Sequence, residues 1–147
     1  RAIASYKKTL HLKRDFAFYH SRLGQLYQQK KMYSDALAEF NQAIKLDKYG
    51  AYLGEHYSDL GFLYEVMGRK EQAMAQFKKA ILINPEVVKN SAWQGLKYLD
   101  ELLNQIYQDY KIEKDKNPSI AKQTLFSLKE VYRYLRGFDK TNKLETE

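Results

Sequence analysis

Apolar side chains recur along this chain at helical rather than strand spacing. Leu53, Tyr57, Leu60 and Tyr64 stand at i, i+4, i+7 and i+11, with Gly61 beside Leu60, which is the stripe of an amphipathic helix. A longer run, Val88, Ala92, Leu96, Leu99, Leu103, Ile106 and Tyr110, keeps the same period. It predicts an unbroken helix from Glu86 to Tyr110, roughly 37 Å long at 1.5 Å per residue. The polar stretch Lys111–Lys116 predicts a connection. Asn117-Pro118 then predicts another helix start, with Ala121, Leu125, Leu128, Tyr132 and Leu135 on one face. Gly50, Gly68 and Gly137 suit helix ends, and Asn84-Pro85-Glu86 reads as an N-cap, a first-turn proline and a favourable acid. The pattern predicts an all-α fold whose polar end, residues 139–147, frays.

Two of these segments are copies of each other. Leu23-Gly24-Gln25-Leu26-Tyr27 is followed by Ala36, Phe40 and Ala43, and Leu60-Gly61-Phe62-Leu63-Tyr64 by Ala73, Phe77 and Ala80. From Gly to Ala is 12 residues in both copies, and the copies are offset by 37. Gly24 with Ala36, and Gly61 with Ala73, are small where their neighbours are large. They predict helices in close contact, with Phe40 and Phe77 filling the volume beside each crossing. One such pair cannot cover its own apolar face, so pairs are expected to stack.

On these residues, and on the closing Ile83-Asn84-Pro85, the stretch 15–86 resembles the tetratricopeptide repeat family, whose period is ~34 residues. Lys48 stands where that family usually has Pro. The three residues beyond the family period fall around Tyr49–Leu53 and predict a helix lengthened at its start. A 34-residue step back from Ala36 reaches Ala2, with Tyr6 and Thr9 in the places of Phe40 and Ala43. Residues 1–14 therefore read as the second helix of an earlier repeat, and a chain opening on Arg1 reads as part of something longer. Residues 15–50 and 51–85 read as two repeats. Residues 86–138 read as a degenerate, lengthened terminal hairpin in which Ala121, Leu125 and Leu128 copy the spacing of Ala73, Phe77 and Ala80. The resemblance implies one domain built as an α-solenoid of stacked antiparallel helix pairs, with a concave groove used for protein recognition.

Composition removes most other chemistry. The chain has 147 residues, 44% hydrophobic and 29% charged, with 2 Pro, 7 Gly and no Cys, which is globular rather than disordered and excludes disulfides and thiolate zinc sites. No apolar run reaches the ~20 residues of a membrane span. Gly-rich phosphate loops, nucleophile elbows and paired metal-binding histidines are missing. His11, His20 and His56 lie far apart in the repeat frame, so no metal or cofactor is expected, nor an enzyme. Asp100-Glu101, Glu113 and Asp115 read as a solvated face, and most of the 13 Tyr fall on stripe positions and read as core. Trp93 is left between lining the groove and covering the hairpin. The residues do not fix a compartment; the cytoplasm is slightly favoured.

The net charge of +7 is uneven, with residues 1–49 carrying 10 basic and 4 acidic side chains. The basic pairs Lys7-Lys8 and Lys78-Lys79 occupy equivalent repeat positions and are expected on the convex, solvent side. A basic surface for RNA or anionic lipid is thus one alternative function, with nucleic acid the less favoured partner. Self-assembly through the uncovered helix of residues 1–12, where Ile3, Tyr6 and Leu10 lack a cover, is another.

In the family, the first helix of each pair lines the groove. Carried over, the inward residues are Phe18, Ser21, Gln25, Gln28 and Gln29, then Glu55, Ser58, Phe62, Glu65 and Val66, then Lys89, Ala92 and Leu96. Relatives that grip the carboxylate tails of chaperones have Lys and Asn in the places held here by Ser21, Gln25 and Phe62, so that clamp is missing. The mixed apolar, amide and acidic set suits a peptide or amphipathic helix held by shape and hydrogen bonds. The expected function is non-catalytic protein recognition, in the groove or on the terminal hairpin.

Overall fold

The computed structural model describes residues 2–135, with side chains from Leu12 onward. Six α-helices follow one another: α1 (Ala2–Gln29), α2 (Tyr33–Leu46), α3 (Leu53–Val66), α4 (Lys70–Ile83), α5 (Leu99–Lys116) and α6 (Pro118–Tyr134). Two short 3-10 segments, Pro85–Lys89 and Gln94–Tyr98, stand between α4 and α5. No strand occurs among the described residues. The fold class is all-α and tetratricopeptide-like. Where one domain was expected, the chain divides into two compact units, residues 1–76 and 77–147.

In the first unit α1 and α2 form a hairpin that closes on small residues. Ala17, Ala36 and Ala43 are buried with Phe40, and the Phe40 ring fills the space left by the missing side chain of Gly24. Leu60 and Leu63 of α3 complete this core, with Tyr27, Tyr33, Leu37, Ile44, Tyr64 and Met67 packed around it. Full burial of a side chain the size of Phe40 is worth about 1.5–3 kcal/mol. Both of the first and third helices end in the same way. Lys31 N–H reaches Gln28 O and Met32 N–H reaches Tyr27 O, as Gly68 N–H reaches Glu65 O and Arg69 N–H reaches Tyr64 O. Each is a Schellman motif with a left-handed residue after the cap.

Three expectations about the elements are corrected. Residues 2–29 are one helix, with no break between residues 14 and 15. Lys13-Arg14-Asp15 offers no glycine, proline or capping geometry to interrupt the good helix formers around it. The extra residues before α3 lengthen the turn at 47–52 and not the helix, which begins at Leu53. Nor does the long helix begin at Glu86. Asn84 does accept the Glu86 N–H at 3.2 Å, yet the cap opens only a 3-10 segment. The Asn90 side chain then takes the Ala92 N–H at 2.9 Å, a local turn that competes with helix propagation.

The second unit has its own core. Phe77 meets Trp93 edge-on, with centroids 5.5 Å apart, and stacks on Tyr98 at 6.1 Å. Gly95 lies under the Trp93 ring, where a β-carbon would stand 2.5 Å from Cη2. Trp93 is therefore core. α5 carries Leu99, Leu102, Leu103, Ile106, Tyr107 and Tyr110 inward, and it continues through the polar residues 111–116, where Glu and Lys favour helix in water. At 18 residues it spans about 27 Å. Asn117 accepts the Ile120 N–H at 3.3 Å and, with Pro118, turns the chain into α6 at once. Ser127 ties α6 to α4 by donating to Leu82 O at 3.2 Å. Gly137 and the tail expected to fray, 139–147, lie outside the described residues.

Candidate functional site

Helical spacing puts Phe18, Ser21 and Gln25 on one side of α1, and Glu55, Asp59 and Phe62 on one side of α3. The fold brings these sides together. Ser21 Oγ donates to Asp59 Oδ2 at 3.1 Å. Three residues before Ser21, the Phe18 ring stands edge-on to Tyr52 with centroids 4.7 Å apart, and to His56 at 6.3 Å. Phe18 remains 37% exposed, held by rings on one side and open on the other. Gln25 and Gln29 of α1 and Glu55 of α3 are exposed, while Gln28, Phe62 and Glu65 are half-buried.

Beneath this face lies a buried polar pair. His56, at the base of α3, is 2% exposed, and Asp47, just after α2, is 6% exposed. His56 Nε2 stands 3.2 Å from Asp47 Oδ2. Gly50 packs directly on that carboxylate, and a β-carbon there would lie 1.5 Å from Oδ1. Burial lowers the His56 pKa below its ordinary 6.5, against the opposing pull of Asp47 and Glu55. Asp59 moves the other way. Burial pushes its carboxyl up to about 6, with Glu55 adding to the rise and hydrogen bonds from Ser21 and Gln25 resisting it.

The expected inward residues do not share one setting. Ser21 and Ser58 are buried, the first bonded to Asp59 and the second donating to Gly54 O at 2.9 Å within its own helix. Asp59, one position from Ser58, is the residue that meets α1. Sequence reasoning missed it, along with Tyr52 and Asp47. The signal available was the i, i+4 spacing of Glu55 and Asp59 beside Phe62. Val66 is exposed at the end of α3.

Lys89, Ala92 and Leu96 belong to the second unit and to no long helix. Lys89 ends the first 3-10 segment with its Nζ 4.8 Å from the Tyr134 ring centroid, Ala92 lies in the turn, and Leu96 in the second 3-10 segment. Lys78, expected on the convex, solvent side, pairs with Asp109, Nζ to Oδ2 3.0 Å. Lys7, Lys8 and His11 have side chains outside the described residues. Of the other histidines, His20 Nδ1 meets Glu39 Oε2. Among the described residues no three His, Cys, Asp or Glu side chains gather as metal ligands, and no helix is long and apolar enough to cross a membrane.

This surface offers apolar contact from a fixed ring and hydrogen bonding from amides and carboxylates, the chemistry of recognition. Comparison with known families agrees with the geometry. Two descriptions of the tetratricopeptide repeat match, one over residues 17–49 and one over residues 56–87. No curated protein and no solved structure matches the chain. Repeats of this kind are generally non-catalytic scaffolds. Two tandem copies, within an all-helical fold whose first hairpin closes on Gly24, mark residues 17–49 and 56–87 as tetratricopeptide repeats, which indicate a protein–protein interaction module.

Proposed function

We propose that the first unit binds a peptide or short amphipathic helix of a protein partner along the side shared by α1 and α3. The observation that carries this reading is Phe18, a large apolar ring 37% exposed yet fixed edge-on against Tyr52. A rigid aromatic anchor costs little entropy on binding, which is why such residues dominate recognition surfaces. Gln25, Gln28 and Gln29 on α1, with Glu55 and Glu65 on α3, form a polar rim around it, and Phe62 extends the apolar centre one turn beyond Asp59.

The test is selection of peptides from a random display library on the intact chain, followed by mapping of the best binder by amide chemical shifts. Shifts should concentrate on α1 from Phe18 to Gln29 and on α3. Phe18→Ser should weaken that peptide at least tenfold with helicity unchanged. Shifts confined to α5 and α6, or unchanged affinity in Phe18→Ser, would move the binding surface to the terminal hairpin.

A second reading, association of two copies through α1, is favoured by a separate feature. Leu12, Phe16, Tyr19 and Leu26 are all exposed, and their alternating four- and three-residue spacing, filled in by Leu23, is that of a helix–helix seam. Light scattering that gives one constant mass from micromolar to millimolar concentration would dismiss it.

A further inference from the structure

The turn that lengthens the repeat to 37 residues also walls a cavity of about 350 Å³ in the first unit. Lys13 and Arg14 enter from α1, Lys45 from the last turn of α2, and Lys48 and Tyr49 from the connection that follows. The turn between α1 and α2 needs only residues 30–32, whereas that between α2 and α3 takes residues 47–52. Its surplus places Lys48 and Tyr49 on the cavity wall.

Charge at this cavity is one-sided. All four cations are exposed, and none of them is in an ion pair among the described residues. The one acid on the wall, Asp47, is buried with its Oδ2 toward His56, so a single buried carboxylate stands against four exposed cations. Tyr49 is 91% exposed, with Lys48 Nζ 5.3 Å from its ring centroid. Four like charges around one concavity repel one another, and a ligand that brings closely spaced negative charge relieves that repulsion.

We propose that this basic cavity is a second binding site, which receives closely spaced negative charges on a peptide, either clustered carboxylates or a phosphate. Arg14 supplies the planar fork that pairs with two oxygens at once, and Lys13, Lys45 and Lys48 act as point charges around it. Along α2 the positive charge does not continue beyond the cavity, since Asp35 and Glu39 carry the opposite sign. That favours a compact anionic group over the backbone of a nucleic acid, which is tracked by contiguous charge. None of the residues that line the cavity is among those proposed to bind in the groove.

Fluorescence anisotropy on the full chain tests this with three peptides of one length, bearing four consecutive Glu, a phosphoserine between two Glu, or Gln at the same places. At least one of the two anionic peptides should bind more tightly than the Gln peptide by tenfold or more. Lys45→Gln/Lys48→Gln should remove that preference. Lys122→Gln/Lys129→Gln, which subtracts equal charge from exposed positions on α6, should leave it intact. Which anionic peptide wins distinguishes carboxylate from phosphate. Equal binding of all three peptides, equal losses in the two lysine pairs, or preference for a single-stranded RNA oligonucleotide over both anionic peptides would overturn the proposal.

Discussion

Phe40 lies so close to Gly24 that its Cε1 stands 2.7 Å from the point where a β-carbon would be. The ring is buried between α1 and α2 and cannot swing into solvent without leaving the core that Leu60 and Leu63 complete. Gly24→Ala should therefore force the hairpin apart and destabilise the chain by about 1–3 kcal/mol. Urea unfolding followed by circular dichroism measures it. Phe40→Leu should restore part of the loss in the double variant, because the smaller side chain makes room. Additive losses would mean that the two residues do not share this contact.

The positions 37 apart are not equally well filled. Lys31 has φ 62° and Gly68 φ 78°, the same left-handed residue after a helix end, and lysine tolerates that conformation poorly. Nothing lies within 4 Å of the place a Gly68 β-carbon would occupy, so the effect there is one of backbone alone. Lys31→Gly should stabilise the chain by about 0.5–1 kcal/mol, and Gly68→Ala should destabilise it by a similar amount or more. Thermal melts of the two variants should shift in opposite directions. A lower melting temperature for Lys31→Gly would show that the lysine side chain contributes more than its backbone costs.

These two sites also show what the sequence discloses and what it conceals. The Gly24 to Ala36 spacing is local and repeated, so the residues alone disclose the first hairpin and the repeat. Asn117-Pro118 worked for the same reason, since a cap and a proline act on their immediate neighbours. Misreadings arose where apolar spacing agreed with two structures. Val88, Leu96 and Leu99 fit one helical stripe, but the Asn90 turn and the Trp93 ring resting on Gly95 divide them among two short segments and α5, with Val88 and Leu99 buried and Leu96 half-buried. The site was harder still. Ser58 and Asp59 are adjacent on α3, and only the approach of α1, a matter of tertiary packing, determines that Asp59 meets Ser21. Absence of a boundary near Lys13 followed from local propensity; repeat arithmetic had obscured it.

Acidity should reveal two titrating groups of α3, His56 and Asp59, because they act with opposite sign. His56 has a folded pKa below 6.5, so below that pH the unfolded chain takes up a proton that the folded chain resists, and stability falls on acidification. Asp59 has a folded pKa of about 6 against an ordinary 3.8. Between those values the folded chain holds the extra proton, so this residue weakens the fold at neutral pH and the penalty disappears as pH falls from 6 to below 4. At about 1.4 kcal/mol per pKa unit, the neutral-pH penalty is about 1–3 kcal/mol. Asp59→Asn, which keeps an oxygen for Ser21, should be more stable than the parent at pH 8 by about that amount, and the advantage should vanish near pH 4. Its stability should also decline more steeply with acid, as the His56 contribution is no longer offset. Urea midpoints at pH 8, 6, 5 and 4 measure both effects. A constant difference between Asp59→Asn and the parent across that range would mean that the Asp59 carboxyl titrates as it would in water.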